Sequence, residues 1–198
     1  MRRFNFNKII CGCDEAGRGS LAGPVVAGAV ILSNRKINNL NDSKKLSKKA
    51  REELNLIIKK HSIAWGIGVV DNTVIDEINI LNASIKAMHL AIESVAKKIA
   101  PQLLIIDGNK FKKYNNIEHK CIIKGDSQFQ SIAAASIIAK SHRDKMMDNL
   151  SEKYNEYKWG KNKGYPTKEH KLAISKFGIT KYHRKSYKLF ENQFQLKF

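Results

Sequence analysis

Apolar and polar positions follow two patterns along the chain, and these patterns separate strands from helices. Short apolar runs rich in β-branched residues predict strands at residues 8–14, 24–32, 62–70, 103–106 and 120–123. Apolar residues three and four positions apart predict helices at residues 48–60, 83–99 and 128–148, with short helices at 151–158 and 167–176. This order predicts an α/β fold in which helices flank a mixed β-sheet.

Local signals at the helix ends agree with this assignment. Ser47 and Thr167 are suitable N-caps for the first and last predicted helices, and Gly178 is a suitable stop for the last one. The run of small residues at 133–136 predicts that the long third helix packs very closely against another element.

The pattern weakens after about residue 150, where aromatic, Lys and Asn residues become more frequent. We therefore divide the chain into a main domain at residues 1–150 and a helical C-terminal region at residues 151–198, packed on that domain. Phe190, Phe194 and Phe198 are four positions apart, which favours a short helix docked through its aromatic face.

The charge of the chain favours a polyanionic partner. The 198 residues include 36 Lys and Arg against 18 Asp and Glu, so the formal net charge is +18 and the pI is about 9.8. Nucleic acid is the usual partner of so basic a chain. The alternative is that an AT-rich genome, which favours lysine codons, produced a lysine-rich surface without such a partner. The charge alone does not decide between these two explanations.

Other classes of protein are excluded by what the sequence lacks. No apolar run approaches the roughly 20 residues that span a bilayer, and the N-terminus has no apolar stretch of signal-peptide length. We therefore expect a cytoplasmic protein with no membrane contact. Cys11, Cys13 and Cys121 do not have the paired spacing of a zinc site, and Cys11 and Cys13 are interpreted as small apolar residues of a strand.

Carboxylates follow three of the predicted strands. Asp14 and Glu15 end the first strand, Asp107 follows the apolar run at 103–106, and Asp126 precedes the long third helix. Sites in α/β sheets form at the carboxyl ends of strands. Clustered carboxylates repel one another unless cations lie between them, and oxygen ligands select Mg²⁺ or Mn²⁺. Two such ions form a site for phosphodiester hydrolysis.

Two points compete with this hypothesis. Any single aspartate at a strand end is more often the cap of a helix or turn. Adjacent residues of a regular strand also point to opposite faces, so Asp14 and Glu15 share a site only if the strand ends or bulges there. The following Ala16-Gly17 favours such an ending. Gly17-Arg18-Gly19 suits a phosphate, because glycines admit close approach of backbone N–H groups and Arg18 binds phosphate.

Five segments, in this order and spacing, resemble bacterial type 2 ribonuclease H (ribonuclease HII): DEAGRGSLAGPVVAGAV (14–30), DSKKLS (42–47), IDGN (106–109), KGDSQFQSIAAASIIAKSHRD (124–144) and GYPTKEH (164–170). Residues 183–187 also resemble the family's late His-Arg-Arg/Lys-Ser-Phe segment. The resemblance implies a ribonuclease H-like mixed β-sheet flanked by helices, with a helical C-terminal region. It implies cleavage of the RNA strand of RNA–DNA hybrids. It also implies nicking 5′ of single ribonucleotides in duplex DNA, which leaves 3′-hydroxyl and 5′-phosphate ends.

The resemblance also implies roles for particular residues. The family's four metal-binding carboxylates map onto Asp14, Glu15, Asp107 and Asp126. The family's Gly-Arg-Gly motif, here residues 17–19, contacts the 2′-hydroxyl and the adjacent phosphate. That hydroxyl distinguishes RNA from DNA.

Further residues of the same segments also receive assignments. Tyr165 corresponds to the family's tyrosine that stacks on the sugar after the ribonucleotide. Contacts to phosphate are predicted for Ser43, Lys44, Lys140, Ser141 and Arg143, with a solvated face or helix packing as the equal alternative for each. We interpret His170 as a core histidine and Asp144 as the partner of a basic neighbour.

The resemblance therefore favours an enzyme with two Mn²⁺ or Mg²⁺ ions that acts on RNA–DNA hybrids and on ribonucleotide-containing duplex DNA. The sequence leaves the oligomeric state open, and a monomer is the default expectation. Two alternatives remain open at this point. One is a non-catalytic nucleic-acid-binding module that kept the fold, and the other is a nuclease of the same fold with another substrate. The sequence does not decide whether a sliding clamp or an RNA polymerase binds the protein.

Overall fold

A mixed β-sheet forms the centre of the structure, a computed structural model that describes residues 1, 8–34, 37–38, 40, 43 and 46–190. The strands of the described residues are β1 Ile10–Ala16, β2 Val25–Leu32, β3 Ser62–Val70, β4 Leu103–Asp107 and β5 Glu118–Ile122. They lie in the order β3-β2-β1-β4-β5. β1 is antiparallel to β2 and parallel to β4, so the predicted mixed sheet is confirmed.

Helices cover both faces of this sheet. The α-helices of the described residues are α1 Lys48–His61, α2 Asn72–Ala96, α3 Gln130–Lys153, α4 Trp159–Asn162 and α5 Lys168–Phe177. Cys11 and Cys13 face α2 and pack with Met88 and Ile92, as expected of small apolar strand residues. The opposite face of the sheet packs against α1 and α3, where Val30 meets Ile58 and Ile137.

The small residues of α3 allow this helix to lie directly on the sheet. A Cβ added at Gly12 of β1 would lie 2.3 Å from the backbone carbonyl carbon of Ser131, so any larger residue at position 12 would displace the helix. The close packing predicted for residues 133–136 is confirmed, since all four are buried and a Cβ added at Gly28 of β2 would lie 2.4 Å from the Ala135 carbonyl oxygen. α3 is thereby fixed beside the carboxyl end of β1.

Two predicted helices differ from the structure. α2 begins at Asn72 rather than at residue 83, because Asp71 caps it and a kink at Asn79 (φ 64°) separates a short first segment from the predicted one. The Asn79 side chain accepts a hydrogen bond from the Asn82 N–H, which restarts the helix as an N-cap would. The helix predicted at 151–158 is wrong. α3 continues to Lys153, because no Gly or Pro stops it at residue 148.

The C-terminal residues pack around Trp159. This fully buried ring is surrounded by Tyr157, Ile174 and Leu189, together with Leu21 and Met147 from the main part of the chain. The division at residue 150 stays a prediction. Phe190 is described and 42% exposed, whereas Phe194 and Phe198 lie outside the described residues, so the predicted terminal helix is untested. No helix among the described residues is long and apolar enough to cross a membrane.

Candidate active site

The candidate site lies at the carboxyl ends of the parallel neighbours β1 and β4. A cavity of about 490 Å³ opens there, and Asp14, Glu15 and Asp107 are among its lining residues. Asp126 is buried in the 3₁₀ turn Gly125–Ser127 but does not line this cavity. The structure therefore brings three of the four predicted carboxylates to one cavity and places the fourth in the adjacent loop.

Asp14 and Glu15 share the cavity although β1 is regular at this point. The strand pairs with β2 through Ala16 without a bulge, so β1 ends one residue after Glu15, as one of the two predicted alternatives requires. Pairing with β4, however, stops at Cys13, so β1 extends past its neighbour on that side. Asp14 points to the α3 face of the sheet and Glu15 to the α2 face. Both border the cavity, because no strand of the described residues lies beside them on the β4 side.

The environment of Asp14 disfavours its charged form. Only 5% of the residue is exposed, and burial raises the pKa of its carboxyl well above the usual range. The neighbouring charges of Glu15 and Asp107 raise this pKa further. Hydrogen bonds oppose the shift: the Glu15 N–H donates to Oδ1 at 2.7 Å, and the Ser136 hydroxyl also stabilises the carboxylate. A cation in the cavity would stabilise the charged form much more strongly.

The two carboxylate oxygens of Glu15 differ in their hydrogen bonding. Oε1 accepts from Nη1 of Arg18 at 3.2 Å, and Oε2 is buried with no hydrogen-bond partner among the described residues. Burial raises the pKa of Glu15, while the Arg18 charge lowers it. An orphaned buried carboxylate oxygen costs free energy, so this atom is suited to a ligand that the protein alone does not provide.

The glycine loop after β1 forms the next wall of the cavity. Gly17 has φ +97°, and a Cβ there would lie 2.0 Å from Nε of Arg143. Arg18 and Gly19 are exposed, and a Cβ at Gly19 would lie 4.0 Å from the Tyr165 ring. The structure thus brings together residues 17–19 and Tyr165, which the sequence places about 145 positions apart.

Arg143 occupies a different place from the predicted phosphate contact. Its side chain is fully buried and donates to three backbone carbonyls, those of Pro24 (2.9 Å), Lys163 (2.9 Å) and Ala22 (3.2 Å). Its guanidinium also lies 5.4 Å from the centre of the Tyr165 ring. Burial lowers its pKa to about 10, so it stays charged at neutral pH. Arg143 therefore supports the glycine loop and Tyr165 from behind.

The remaining predicted phosphate contacts, and the predicted partner of Asp144, have mixed outcomes. Ser43 and Lys140 line the cavity, with the Ser43 hydroxyl 2.9 Å from that of Ser136. Lys140 pairs with Asp144, which confirms a basic partner for that aspartate. The Ser141 hydroxyl is buried rather than facing the cavity. Lys44 lies outside the described residues.

His170 is confirmed as a core histidine. The residue is fully buried, and its Nε2 accepts from the Trp159 indole N–H at 3.0 Å. Its Nδ1 lies 3.0 Å from the carbonyl oxygen of Tyr165, so the imidazole supports the segment that carries this tyrosine.

Two functional side chains were missed by the sequence analysis. Arg51 of α1 lines the cavity and pairs with Asp144 at 2.9 Å. Arg184 is fully buried and donates to the carbonyls of Gly17 and Arg18. No motif surrounds Arg51 in the sequence. Arg184 belongs to the segment at 183–187 that resembles the family's late segment, and this resemblance was the one signal that could have identified it.

Comparison with known proteins gives a consistent result. The sequence model of the ribonuclease HII family matches residues 11–190. The ribonuclease HII of Christiangramia forsetii is 53% identical over 98% of this chain and 98% of its own. The ribonuclease HII of Bacteroides thetaiotaomicron is 52% identical over the same shares.

Solved structures agree in fold. The crystal structure of ribonuclease H2 from Pyrococcus horikoshii OT3 has a TM-score of 0.75 at 25% identity, and covers 91% of this chain and 94% of its own. The ribonuclease HII of Archaeoglobus fulgidus, solved with PCNA, has a TM-score of 0.69 at 26% identity, over 89% and 92%. The chain therefore belongs to the ribonuclease HII family and is a ribonuclease that cleaves the RNA strand of RNA–DNA hybrids.

Proposed function

We propose that this ribonuclease nicks duplex DNA on the 5′ side of single embedded ribonucleotides, with two divalent ions, and leaves 3′-hydroxyl and 5′-phosphate ends. One observation carries the proposal: Asp14, Glu15 and Asp107 border one cavity, in which a buried Glu15 oxygen has no hydrogen-bond partner among the described residues. The surplus of positive charge outside the cavity suits a nucleic-acid duplex.

The residues of the cavity fit a divalent metal. All of the candidate ligands offer carboxylate oxygens, the donors that Mg²⁺ and Mn²⁺ prefer. The described residues hold no group of three His, Cys, Asp or Glu side chains already close enough for an ion. Arg18 occupies one Glu15 oxygen and Gly125 occupies one Asp107 oxygen. Rotation of these side chains toward the cavity is therefore part of the proposal.

Asp14, Glu15, Asp107 and Asp126 are the residues that would hold the ions. When bound, the ions supply an activated water for in-line attack and neutralise the leaving oxygen. The chain itself orients the ligands: Ser136 and the Glu15 N–H hold Asp14, and the Gly125 N–H holds Asp107. Release of Arg18 from Glu15 would free the guanidinium for the phosphate next to the ribonucleotide.

Recognition of the ribonucleotide is assigned to the opposite wall of the cavity. Arg18 and Gly19 are exposed, and Gly19 lies beside Tyr165, so one ribose can meet rigid N–H donors and an aromatic ring together. The N–H groups read the 2′-hydroxyl, and the ring contacts the following sugar without selecting a base. Ser43, Lys140 and Lys44 are assigned to flanking phosphates.

The decisive experiment is cleavage of a labelled DNA duplex with one internal ribonucleotide, in Mg²⁺, Mn²⁺ or EDTA. An all-DNA duplex and the Asp14→Asn variant are the controls. We expect a metal-dependent nick 5′ of the ribonucleotide, absent from both controls. Cleavage of the all-DNA duplex would overturn the assignment of residues 17–19 and Tyr165 to the 2′-hydroxyl.

Two further expectations need separate measurements. Analytical sedimentation tests the expected monomer, and fractionation of cells tests the expected cytoplasmic location.

A further inference from the structure

The segment at residues 183–187, near the end of the described chain, returns to the glycine loop that follows β1. His183 forms an isolated β-bridge with Ala22, and the Arg184 N–H donates to the Leu21 carbonyl at 2.8 Å. Asp76 of α2 accepts from the N–H groups of Lys185 (2.9 Å) and Ser186 (3.0 Å). The segment is thus anchored both to the residues that follow the loop and to α2, and its backbone is held in place.

Two side chains of this segment contact the loop carbonyls directly. The Arg184 guanidinium donates to the Gly17 carbonyl from Nη2 at 2.7 Å and to the Arg18 carbonyl from Nη1 at 2.8 Å. The Tyr187 hydroxyl donates to the same Arg18 carbonyl at 2.7 Å and accepts from Nη1 of Arg184 at 3.1 Å. The Arg184 guanidinium and the Tyr187 hydroxyl therefore hold two peptide groups of the loop.

These contacts act on the face of the loop opposite the cavity. The Gly17 carbonyl shares its peptide unit with the Arg18 N–H, and the Arg18 carbonyl shares its unit with the Gly19 N–H. Arg18 and Gly19 are exposed, and their N–H groups meet no protein acceptor within the described part of the chain. A hydrogen bond to a carbonyl polarises its peptide unit and strengthens the N–H of that unit as a donor. Charged donors have the larger effect.

We propose that Arg184 and Tyr187 are positioning residues for ribonucleotide recognition, which aim and polarise the Arg18 and Gly19 N–H groups at the 2′-hydroxyl. This inference rests on the proposed function, in which residues 17–19 contact the ribonucleotide. Neither side chain lines the cavity, so both act through the loop and not on the substrate.

Arg184 also has a structural task, which affects the choice of variants. Its guanidinium donates to the carbonyls of Gly23 (2.9 Å) and Pro24 (3.2 Å), so its complete removal would take hydrogen-bond donors away from buried backbone. Tyr187→Phe is the sharper test, because it removes one hydroxyl and keeps the ring. Tyr157→Phe is the matched control, since the Tyr157 hydroxyl donates to the Gly178 carbonyl at 3.0 Å and does not reach the glycine loop.

The experiment measures KM and kcat for a duplex with one ribonucleotide, and the Kd for an all-DNA duplex of the same sequence. For Tyr187→Phe we expect KM to rise roughly three- to tenfold, the usual effect of one lost hydrogen bond, with kcat and the all-DNA Kd unchanged. Tyr157→Phe should match the wild type in all three. Arg184→Lys keeps the charge but not the fork, so its KM should rise more than that of Tyr187→Phe.

The outcomes separate this inference from the function on which it rests. An unchanged KM in Tyr187→Phe, or an equal loss in KM and in the all-DNA Kd, would overturn the positioning role while wild-type discrimination stands. Equal activity of the wild type on the ribonucleotide and all-DNA duplexes would overturn the proposed function itself. A melting temperature measured for each variant identifies any loss that comes from unfolding, because unfolding lowers the active fraction without changing KM.

Discussion

The main-chain N–H of Gly125 donates a hydrogen bond of 2.7 Å to Oδ1 of Asp107. This contact joins the carboxyl end of β4 to the 3₁₀ turn that carries Asp126. Two carboxylates assigned to metal binding are therefore held by one loop, and the geometry of either depends on the other. The contact also leaves Oδ2 of Asp107 as the oxygen available to a cation.

Asp107→Asn should remove most of the activity and leave the fold intact. The amide oxygen of the new side chain can still accept from Gly125, so the loop keeps its anchor. The lost charge weakens metal binding, and several kcal/mol of transition-state stabilisation correspond to a fall of roughly a hundredfold or more in the nicking rate. The nicking rate and the melting temperature are the two measurements.

Asp71→Asn is the matched control for this substitution. Asp71 also accepts a backbone hydrogen bond, from the Val74 N–H at 3.0 Å, but it caps α2 and does not line the cavity. Asn is as good an N-cap as Asp, so neither activity nor stability should change appreciably. Full activity in Asp107→Asn would exclude this carboxylate from the metal site.

Gly17→Ala should destabilise the protein more than a glycine substitution with similar backbone strain. Gly17 has φ +97°, and its new methyl group would collide with the buried guanidinium of Arg143. Positive φ alone costs a non-glycine residue about 1–3 kcal/mol. Displacement of Arg143 adds the loss of its carbonyl hydrogen bonds. Denaturation by urea measures the difference in the free energy of unfolding.

Gly178→Ala supplies the comparison for Gly17→Ala. Gly178 has φ +77°, and a Cβ there meets no atom of the described residues within 4 Å. This variant should therefore show the backbone cost alone and keep its nicking activity. Equal losses of stability in the two variants would mean that Arg143 moves aside at little cost.

The local parts of this structure could be predicted from the sequence, because each is encoded by neighbouring residues. The run at 103–106 followed by Asp107 identifies both a buried strand and the carboxylate at its end. α3 and its close approach to the sheet are similarly visible in the small residues at 133–136. The order of these elements was sufficient for the mixed sheet.

Long-range relationships could not be predicted in this way. The bond between Arg184 and the Gly17 carbonyl joins residues 167 positions apart, and no periodicity relates them. The shared cavity of Asp14 and Glu15 depends on where β4 stops pairing with β1, which is a property of the sheet and not of either strand. The kink at Asn79 was missed because the helical segment before it is too short for a periodic pattern.

Tyr165→Ala should weaken binding of the ribonucleotide-containing duplex, whereas Tyr165→Phe should not. The ring lies near Gly19 of the glycine loop and 5.4 Å from the Arg143 guanidinium, and it lines the cavity. Loss of an aromatic contact with nucleic acid costs about 1–3 kcal/mol of binding free energy. Fluorescence anisotropy in EDTA measures this loss without cleavage. An equal loss in Tyr165→Phe would assign the effect to the hydroxyl rather than to the ring.

Stability should fall on acidification through a pair of buried histidines. His170 and His183 lie with their Nε2 atoms 3.2 Å apart, and both are fully buried. Burial, and after it the charge of the neighbouring His170, lower the pKa of His183 to about 4. Burial also lowers the pKa of His170. The unfolded chain, with an ordinary histidine pKa of about 6.5, therefore binds protons before the folded chain does.

The sign of the effect follows from that difference. Above about pH 6.5 both states are neutral at His183, so its contribution to stability is fully present. As the pH falls from about 6.5 toward about 4, the unfolded state gains protons that the folded state excludes, and the free energy of unfolding decreases. Melting temperatures between pH 8 and pH 4.5 measure this decrease. His183→Gln replaces the imidazole by an amide, which still forms hydrogen bonds but does not titrate in this range, so its decrease should be shallower than that of the wild type. Parallel curves for the two proteins would assign the acid sensitivity to other groups.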